Sequence, residues 1–401
     1  MLRPQHLRLR HLHLPSLQPH YVPYSLASRV QEHLRREHLA FKDANHSGNK
    51  PLPQPPPPAL ISFTPAPVFT LGRRQTAPLT REELAKLTAP LKITSPPPFS
   101  GFRGAQAQAR QGEHRGEPEP CSYRPHPRVT PSPRGGLTTY HGPGQVVLWP
   151  VIDLRSVGAE AAAAAAARLS CCKSGLRGGG GLTVRTYARL LETTTMAVLG
   201  QVFGLEAVTT EDPGVWVVRR ALLEGGEHGM GEGEMAKIAA LGVHLRRHIT
   251  ALGTALNVAL PGTDGDGDER TNPWSRFIAC GLPGKHVTSV AGELARRRSG
   301  GFRAGVELLD EMLLLLQKST NAARTREQAV AEAWAEEFAQ GIGLGHEEGN
   351  SGVELVDTEE VLGLMEGLVR SAEDEGGDAD QHLGEEFEYL ESIRRLLGGG
   401  A

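Results

Sequence analysis

The sequence predicts a mixed α/β fold, and three observations carry that prediction. A short run rich in β-branched residues, Val146 to Leu154, fits a buried strand and is too short for a helix. Helical periodicity recurs on both sides of it, at Tyr24 to Phe41 and Val184 to Leu199, and dominates after Val290. Between these segments strand, loop and helix patterns alternate. With 401 residues, 39% of them apolar, the chain can bury a sizeable core.

Residues 1 to 31 contain Arg3, Arg8, Arg10, Arg29 and four histidines but no acid. That bias suits a mitochondrial transit peptide, while Leu7 to Leu14 reads equally as a first strand with a basic outer face. Leu26, Val30, Leu34 and Phe41 recur at helical intervals before a polar turn at Asn45 to Asn49. Proline-dense Pro51 to Pro67 predicts extended chain, and Val68, Phe69 and Leu71 predict a short strand ending at Gly72-Arg73-Arg74. Residues 75 to 130 hold no sustained period, which predicts a long irregular insertion around a short helix at Thr80 to Leu87.

After the Val146 strand, Ala159 to Leu169 predicts an alanine-rich helix and Ser170 to Gly181 a flexible glycine tract. Val215 to Val218 predicts a strand and Glu224 to Glu234 a glycine and glutamate loop. Leu308 to Leu316 is apolar and helical, and Val330, Trp334 and Phe338 share one helix face after a capping box of Thr325 and Gln328. From about Gly345 the tail is acidic and glycine-rich. It predicts a mobile extension with helical stretches at Thr358 to Val369 and Glu385 to Leu397.

Composition excludes several classes of function. A net charge of −3 lacks the basic surplus of a nucleic-acid binder, and no run approaches the roughly 20 apolar residues of a membrane span. Cys121, Cys171, Cys172 and Cys280 match neither a small disulfide scaffold nor a paired zinc site, which suits a reducing compartment with one reactive thiol. Asp264, Asp266 and Asp268 imitate a calcium loop, but Glu269 stands where the turn needs glycine and Ser275 where a bidentate glutamate belongs. His244 and His248 lack the glutamate of a helical zinc motif and fall in a strand-like segment. The adjacent Cys171 and Cys172 sit in a glycine tract and receive no role. No metal and no cofactor is expected.

Three segments can carry chemistry. In Arg134-Gly135-Gly136-Leu137-Thr138-Thr139-Tyr140-His141-Gly142-Pro143-Gly144-Gln145, glycines let backbone approach a ligand, while Arg134, Tyr140 and His141 add a cation, an aromatic wall and a titratable group. The bland alternative is a tight turn between two strands. In Met235 to Val243, Lys237 enters an otherwise apolar strand, where its ammonium can stabilise a neighbouring anion, although a lysine at a strand start is usually solvent-facing. In Asn272 to Gly284, Cys280 lies beside glycines and a proline at an open turn. A nearby cation such as Lys237 would lower its pKa, while an isolated cysteine is more often a small buried hydrophobe.

Taken in order, RGGLTTYHGPGQ, GVWV, KIAALGV, GTALNV and FIACGLPG resemble the signature of the lipoyl(octanoyl) transferase family, with TLGRR and VAEAWAEEF similar to its earlier strand and C-terminal helix. The resemblance covers about half the chain. It implies an α/β (α+β) fold, a mixed sheet flanked by helices like the catalytic domain of biotin and lipoate protein ligases, with disordered insertions. It divides the chain into residues 1–23, a transit segment or first strand; a catalytic domain over 24–344 with insertions near 75–130, 170–181, 224–234 and 298–324; and a C-terminal extension over 345–401. It also implies two half-reactions: Cys280 attacks octanoyl-acyl carrier protein, and a lysine of a lipoyl domain then attacks the acyl-enzyme. The acceptors would be lipoyl domains of 2-oxoacid dehydrogenase complexes and the glycine cleavage H protein.

By the same carry-over Lys237 sits beside the cysteine. Arg134, Gly135, Gly136, Leu137, Thr138, Thr139, Tyr140, His141, Ala240, Leu241, Gly242, Gly253, Thr254 and Ala255 line the substrate pocket, and their backbone N–H groups face the thioester oxyanion. The family commonly has proline where this chain has Ala279 and serine where it has Ala240. An ATP-dependent lipoate ligase shares the fold, and a non-catalytic scaffold binding lipoyl domains or acyl carrier protein would use the same surface. The long insertions and basic N-terminus point to mitochondria, with the cytoplasm as the alternative.

Overall fold

The computed structural model describes residues 7–46, 54–94, 122–157, 182–219, 234–260, 267–277, 285–298, 301–315, 325–345, 352–375 and 382–398. The alanine-rich helix expected over 159–169, the glycine tract over 170–181 and most of the 224–234 loop lie outside these residues.

Of the two readings of the N-terminal segment, the strand is the one observed. β1 (Leu9–His13) is mostly buried, and the helix read from Leu26 onward follows as α1 (Tyr24–His46). The basic outer face is only partly realised. Arg10 points outward to Glu360, whereas His11 and His13 are buried and both bond the Ser62 hydroxyl, at 2.7 and 2.8 Å. Burial, with the charge of His13 adding to it, depresses His11 to about 3, and burial depresses His13 to about 4.

β2 (Ala59–Phe63) comes from the extended proline-rich stretch, β3 (Val68–Leu71) is the short strand read after it, and α2 (Arg81–Thr88) starts at a capping box in which Thr80 and Glu83 bond reciprocally. The stretch read as irregular is partly folded. β4 (Ile93–Thr94) pairs with β5 (Ser122–Tyr123), and β6 (Arg128–Pro131) runs parallel to β3; such short strands leave too few residues to show a period. β7 (Thr139–His141) pairs with the other edge of β3, closing a three-stranded sheet.

β8 (Gln145–Val151) is the predicted buried strand. It contains Pro150, which cannot donate to a ladder, and its neighbour β12 (Ile249–Asn257) adapts beside it. Leu252 takes a positive φ of 60°, and the Thr250 hydroxyl donates to Pro150 O at 2.8 Å and accepts from Ile152 N–H at 2.9 Å. Between these strands come α3 (Val184–Phe203), ended by Gly204 in the left-handed region, then β9 (Ala207–Val208), β10 (Val215–Arg219) and β11 (Glu234–Arg246). After β12 follow β13 (His286–Val287), α4 (Val290–Arg297), α5 (Phe302–Leu315), α6 (Arg326–Gly341), β14 (Val353–Leu355), α7 (Thr358–Asp374) and α8 (Leu383–Gly398).

Among the described residues the main sheet runs β14-β1-β2-β8-β12-β11-β10-β9, with β13 added parallel to β11. β1 is parallel to both its neighbours and the remaining pairs along this order are antiparallel, so the sheet is mixed, as expected. One face packs against α3, α4, α5 and α6, the other against α1, α7 and α8. A third cluster, with Phe69, Tyr140, Leu91 and Leu260 buried and Trp274 and Phe277 against it, joins the small sheet to the large one. No helix of the described residues is long and apolar enough to cross a membrane.

Two segments expected at the periphery are integral. The described part of the 298–324 span contributes α5, whose Gly305 lies so close to Ala291 O that a Cβ would approach to 2.0 Å. The tail expected as a mobile extension contributes α7 and α8, which bury Leu362, Met365, Tyr389 and Ile393 against α1. Their apolar residues recur at helical spacing; Glu359, Glu360, Glu373 and Glu388 face solvent, while Glu386 is buried and pairs with Arg29 at 2.8 Å. α6 is capped by Thr325, which accepts from Gln328 N–H; the Gln328 side chain turns to Glu332 instead of closing the box. Trp334 on α6 is fully buried and donates its indole N–H to Thr195 Oγ1 at 3.0 Å. Trp334→Ala is expected to cost about 3–5 kcal/mol and Thr195→Val about 1 kcal/mol, read as a lower urea midpoint at an unchanged slope.

Candidate active site

The site is built around a local irregularity in β11. Trp216 of β10 pairs with Lys237 but Val215 pairs with Ala239, so Ile238 is an extra residue on β11. In a regular strand residues 237 and 240 face opposite sides; the bulge puts Ile238 and Ala239 together on the helix-packed face. Lys237 and Ala240 therefore share one cleft with Thr139, Gln145, Trp216, Asn257, Trp274, Lys285, His286 and Val287.

Lys237 is buried in the wall of this cleft. Its Nζ donates to Pro213 O at 3.1 Å and stands 4.6 Å from the centre of the Trp216 ring. Gly214, with φ of 126°, fits where a side chain would meet Ala239 O at 2.6 Å and the Lys237 stem at 3.5 Å. Lys285 Nζ reaches the same indole at 5.4 Å, so two ammonium groups converge on one ring. The indole N–H of Trp274 is buried and has no hydrogen-bond partner among the described residues.

A line of buried hydrogen bonds holds the cleft floor. His141 Nδ1 meets Gln145 Oε1 at 2.7 Å, Gln145 Nε2 donates to Asn257 Oδ1 at 2.8 Å, and Asn257 Nδ2 donates to Thr288 O at 2.8 Å. Thr288 then donates its hydroxyl to Glu293, which also accepts two bonds from Arg219, and its N–H to Lys237 O. Because both amides donate onward, Gln145 presents its oxygen to the ring, and His141 must be the donor through Nδ1–H. Burial pushes His141 down to about 4, against the raising effect of the Gln145 bond and aided by Arg134. It is a neutral positioning group behind Gln145.

Several residues expected to line the pocket are used differently. The Arg134 guanidinium bonds Thr70 O and Oγ1, Gly135 O and Leu137 O, tying the loop to β3, and its stem covers Gly242. Its role is a clamp, because its N–H donors meet three main-chain oxygens and the Thr70 hydroxyl. Gly136 has φ of 86° and accepts from Arg74 N–H, so Gly135, Gly136 and Leu137 make the turn that Arg134 closes. Thr138 and Tyr140 are buried, the latter ringed by Phe69 and Trp274 instead of forming the cleft wall; Thr139 does line the cleft. Burial raises the Tyr140 phenol far above its ordinary value.

On β11, Ala240 faces the cleft and Gly242 follows on the same face beneath Arg134, while Leu241 turns to the helix-packed side. On β12, Thr254 pairs opposite Leu241 and shares that side, Ala255 joins the second core, and Gly253 packs against Leu148 O, where a Cβ would lie at 2.2 Å. β12 is hydrogen-bonded by β8 on one edge and β11 on the other, so Thr254 and Ala255 have no N–H to offer an oxyanion. β10 leaves β11 at Ala239, and beyond it the outer edge of β11 has no strand partner among the described residues. Cys280 lies outside the described residues. Trp216, Lys285, Gln145, Asn257 and Trp274 were not singled out from the sequence; all but Lys285 stand inside the motifs quoted above, and Lys285 carried no signal.

No protein-family model matches the chain. It is 29% identical to a probable octanoyltransferase of Schizosaccharomyces pombe over 283 residues, covering 70% of this chain and 86% of that protein. It is 30% identical to an octanoyltransferase of Bordetella parapertussis over 202 residues, covering 50% and 69%. A mitochondrial octanoyl-[acyl-carrier-protein]:protein N-octanoyltransferase of Danio rerio is 34% identical over 163 residues, covering 41% and 51%. Among solved structures, a lipoate-protein ligase A bound with ATP is similar over 92% of this chain and 94% of its own, with 12% identity and a TM-score of 0.35. The relatives set the class: the protein is an acyltransferase. The chain belongs to the octanoyltransferase family, and its reaction is octanoyl transfer in protein lipoylation.

A histidine held near 4 in the folded chain and near 6.5 when unfolded takes up its proton only on unfolding between those values. Its contribution to stability is therefore complete above pH 6.5 and is lost as pH falls towards 4. His141→Gln is expected to flatten the stability slope across pH 6.5 to 4 by about 1.4 kcal/mol per pH unit, measured by urea titration at fixed ionic strength.

Proposed function

We propose that the enzyme takes octanoyl from the thioester of octanoyl-acyl carrier protein onto Cys280 and passes it to a lysine of a lipoyl domain. In the first step the Cys280 thiolate attacks the thioester carbonyl, a new C–S bond forms, and the carrier leaves as its thiolate, which takes a proton. In the second step the neutral amine of the acceptor lysine attacks the acyl-enzyme. The C–N bond forms, the C–S bond to Cys280 breaks, and the amine loses a proton to regenerate resting enzyme. A thiol leaves in each half, so no ATP is consumed. Lipoyl domains of 2-oxoacid dehydrogenase complexes and the glycine cleavage H protein are the proposed acceptors.

The observation that carries this reading is the buried ammonium of Lys237 in a cleft that both ends of the Cys280 segment border. Trp274 precedes the segment and Lys285 follows it, and both line the cleft. Cys280 is three residues from Phe277, about 11 Å of chain at full extension, which keeps the thiol within reach of this region. An ammonium there favours the thiolate over the thiol. Among the described residues, the Trp274 indole N–H, which has no hydrogen-bond partner, and the β11 edge from Ala240 to Gly242, which has no strand partner, offer donors to the thioester oxygen. A mitochondrial location is supported by the name of the Danio rerio relative.

The test is intact-protein mass spectrometry after incubation with octanoyl-acyl carrier protein and no ATP, followed by an apo lipoyl domain. Wild type is expected to gain one octanoyl group, lose it to the acceptor, and show no adduct as Cys280→Ala; Lys237→Ala is expected to acylate at least about 100-fold more slowly. Acceptor modification that appears only with ATP would make the enzyme a ligase instead. Binding of the lipoyl domain without any transfer would leave a scaffold.

A further inference from the structure

Arg73 and Arg74 sit at the end of β3 and Arg246 at the end of β11; all three are exposed and none has an ion-pair or hydrogen-bond partner for its side chain among the described residues. Arg73 and Arg246 belong to one face, and Arg74 follows Arg73 in the chain. Burial and then the positive charges of Arg35, Arg73 and Arg246 push the His244 imidazole below its ordinary value, with Glu32 opposing, so these cations surround His244. Nearby carboxylates are already engaged: Glu32 by Arg35 and Arg36, Asp43 by Arg247, and Asp153 by Lys42. Among the described residues, a chain of net charge −3 thus carries a face with a surplus of positive charge.

That face is continuous with the cleft. Arg73 N–H donates to Arg134 O at 3.0 Å and Arg74 N–H to Gly136 O at 3.1 Å, and the Arg134 stem lies on Gly242. Ala240, Gly242, His244 and Arg246 fall on one face of β11 at two-residue steps, which puts Arg246 about 20 Å from the cleft end of the strand. Exposed arginines without partners suit carboxylates and phosphodiesters on another molecule, and they steer an acidic partner at a rate that falls with salt. The separation fits a partner whose reactive group stands away from its body on a long arm, as a carrier holds a thioester.

We propose that the face carrying Arg73, Arg74, His244 and Arg246 docks the acidic acyl-donor carrier domain, whose arm then runs along β11 to the Lys237 cleft. This rests on the donor reading given above, so binding and turnover are measured separately. Binding of octanoyl-acyl carrier protein is read by calorimetry at 50 and 300 mM salt for wild type, for Arg73→Glu/Arg74→Glu/Arg246→Glu, for the corresponding triple alanine variant, and for Arg370→Glu as a remote control. Turnover is read with the same donor and with octanoyl-pantetheine, which has no carrier and no phosphate.

Both triple variants are expected to weaken carrier binding, the reversal by at least about 10-fold, and to flatten its salt dependence; KM for octanoyl-pantetheine and for the apo lipoyl domain should stay within about twofold. Carrier binding unchanged in both variants would overturn the assignment, as would a loss confined to the apo lipoyl domain, which would make the face an acceptor site. Salt-sensitive carrier binding lost in the triples without turnover in any protein would uphold the docking surface and sink the donor reaction.

Discussion

One extra residue in β11 decides where the chemistry can be. The bulge at Ile238 turns two successive apolar side chains, Ile238 and Ala239, into the helix-packed core, and so releases both Lys237 and Ala240 to the opposite face. A lysine on that face meets the carbonyl of Pro213 and the ring of Trp216, each carried by or next to β10. Gly214 is needed at the crossing, because a side chain there would collide with Ala239 O. A strand without the bulge would put either the lysine or the apolar pair on the wrong side of the sheet.

The remaining parts of the site are held by groups that point away from it. β12 lies between two strands and is buried along its length, so it is a rigid support whose contribution to the cleft is one side chain, Asn257. Asn257 passes the constraint from Gln145 to the carbonyl of Thr288, and Thr288 anchors to Lys237 O and to the Glu293–Arg219 pair. Every polar group in that line has a partner, which is the condition for burying it without a large desolvation cost. The glycine-rich loop is fixed in a similar way, by Arg134 reaching back to β3, which leaves Thr139 as its contact with the cleft.

Much of the fold was legible because periodicity and burial are local properties. The helices at Tyr24, Val184 and Val330, the strand at Val146, the short helix at Thr80 and the capping residue Thr325 stand where their sequence patterns put them. The motifs around Lys237 and Thr139 were legible for the same reason, as runs of glycine and apolar residues interrupted by one functional group. β5, β6, β9 and β13 were not, since strands of two to four residues are stabilised by the neighbour they pair with. α7 and α8 were legible as helical stretches but their docking was not: an acidic composition reads as a mobile extension until the apolar stripe has α1 and the sheet to pack against.

The sequence by itself determined the fold class, the order of the main helices and strands, and the candidate set of lysine, cysteine and glycine-rich loop. The tertiary structure decided which of those side chains meet. Arg134 was expected as a pocket cation and became a clamp, because its donors found oxygens of its own loop and of Thr70, which is 64 positions away in sequence but adjacent in space. Tyr140 was expected as a wall and became core, because Phe69 and Trp274 enclose it. Thr254 and Leu241 turned from the cleft because strand parity, once reset by the bulge, fixes which face each residue takes. Facing, unlike propensity, depends on what lies on the other side of the backbone.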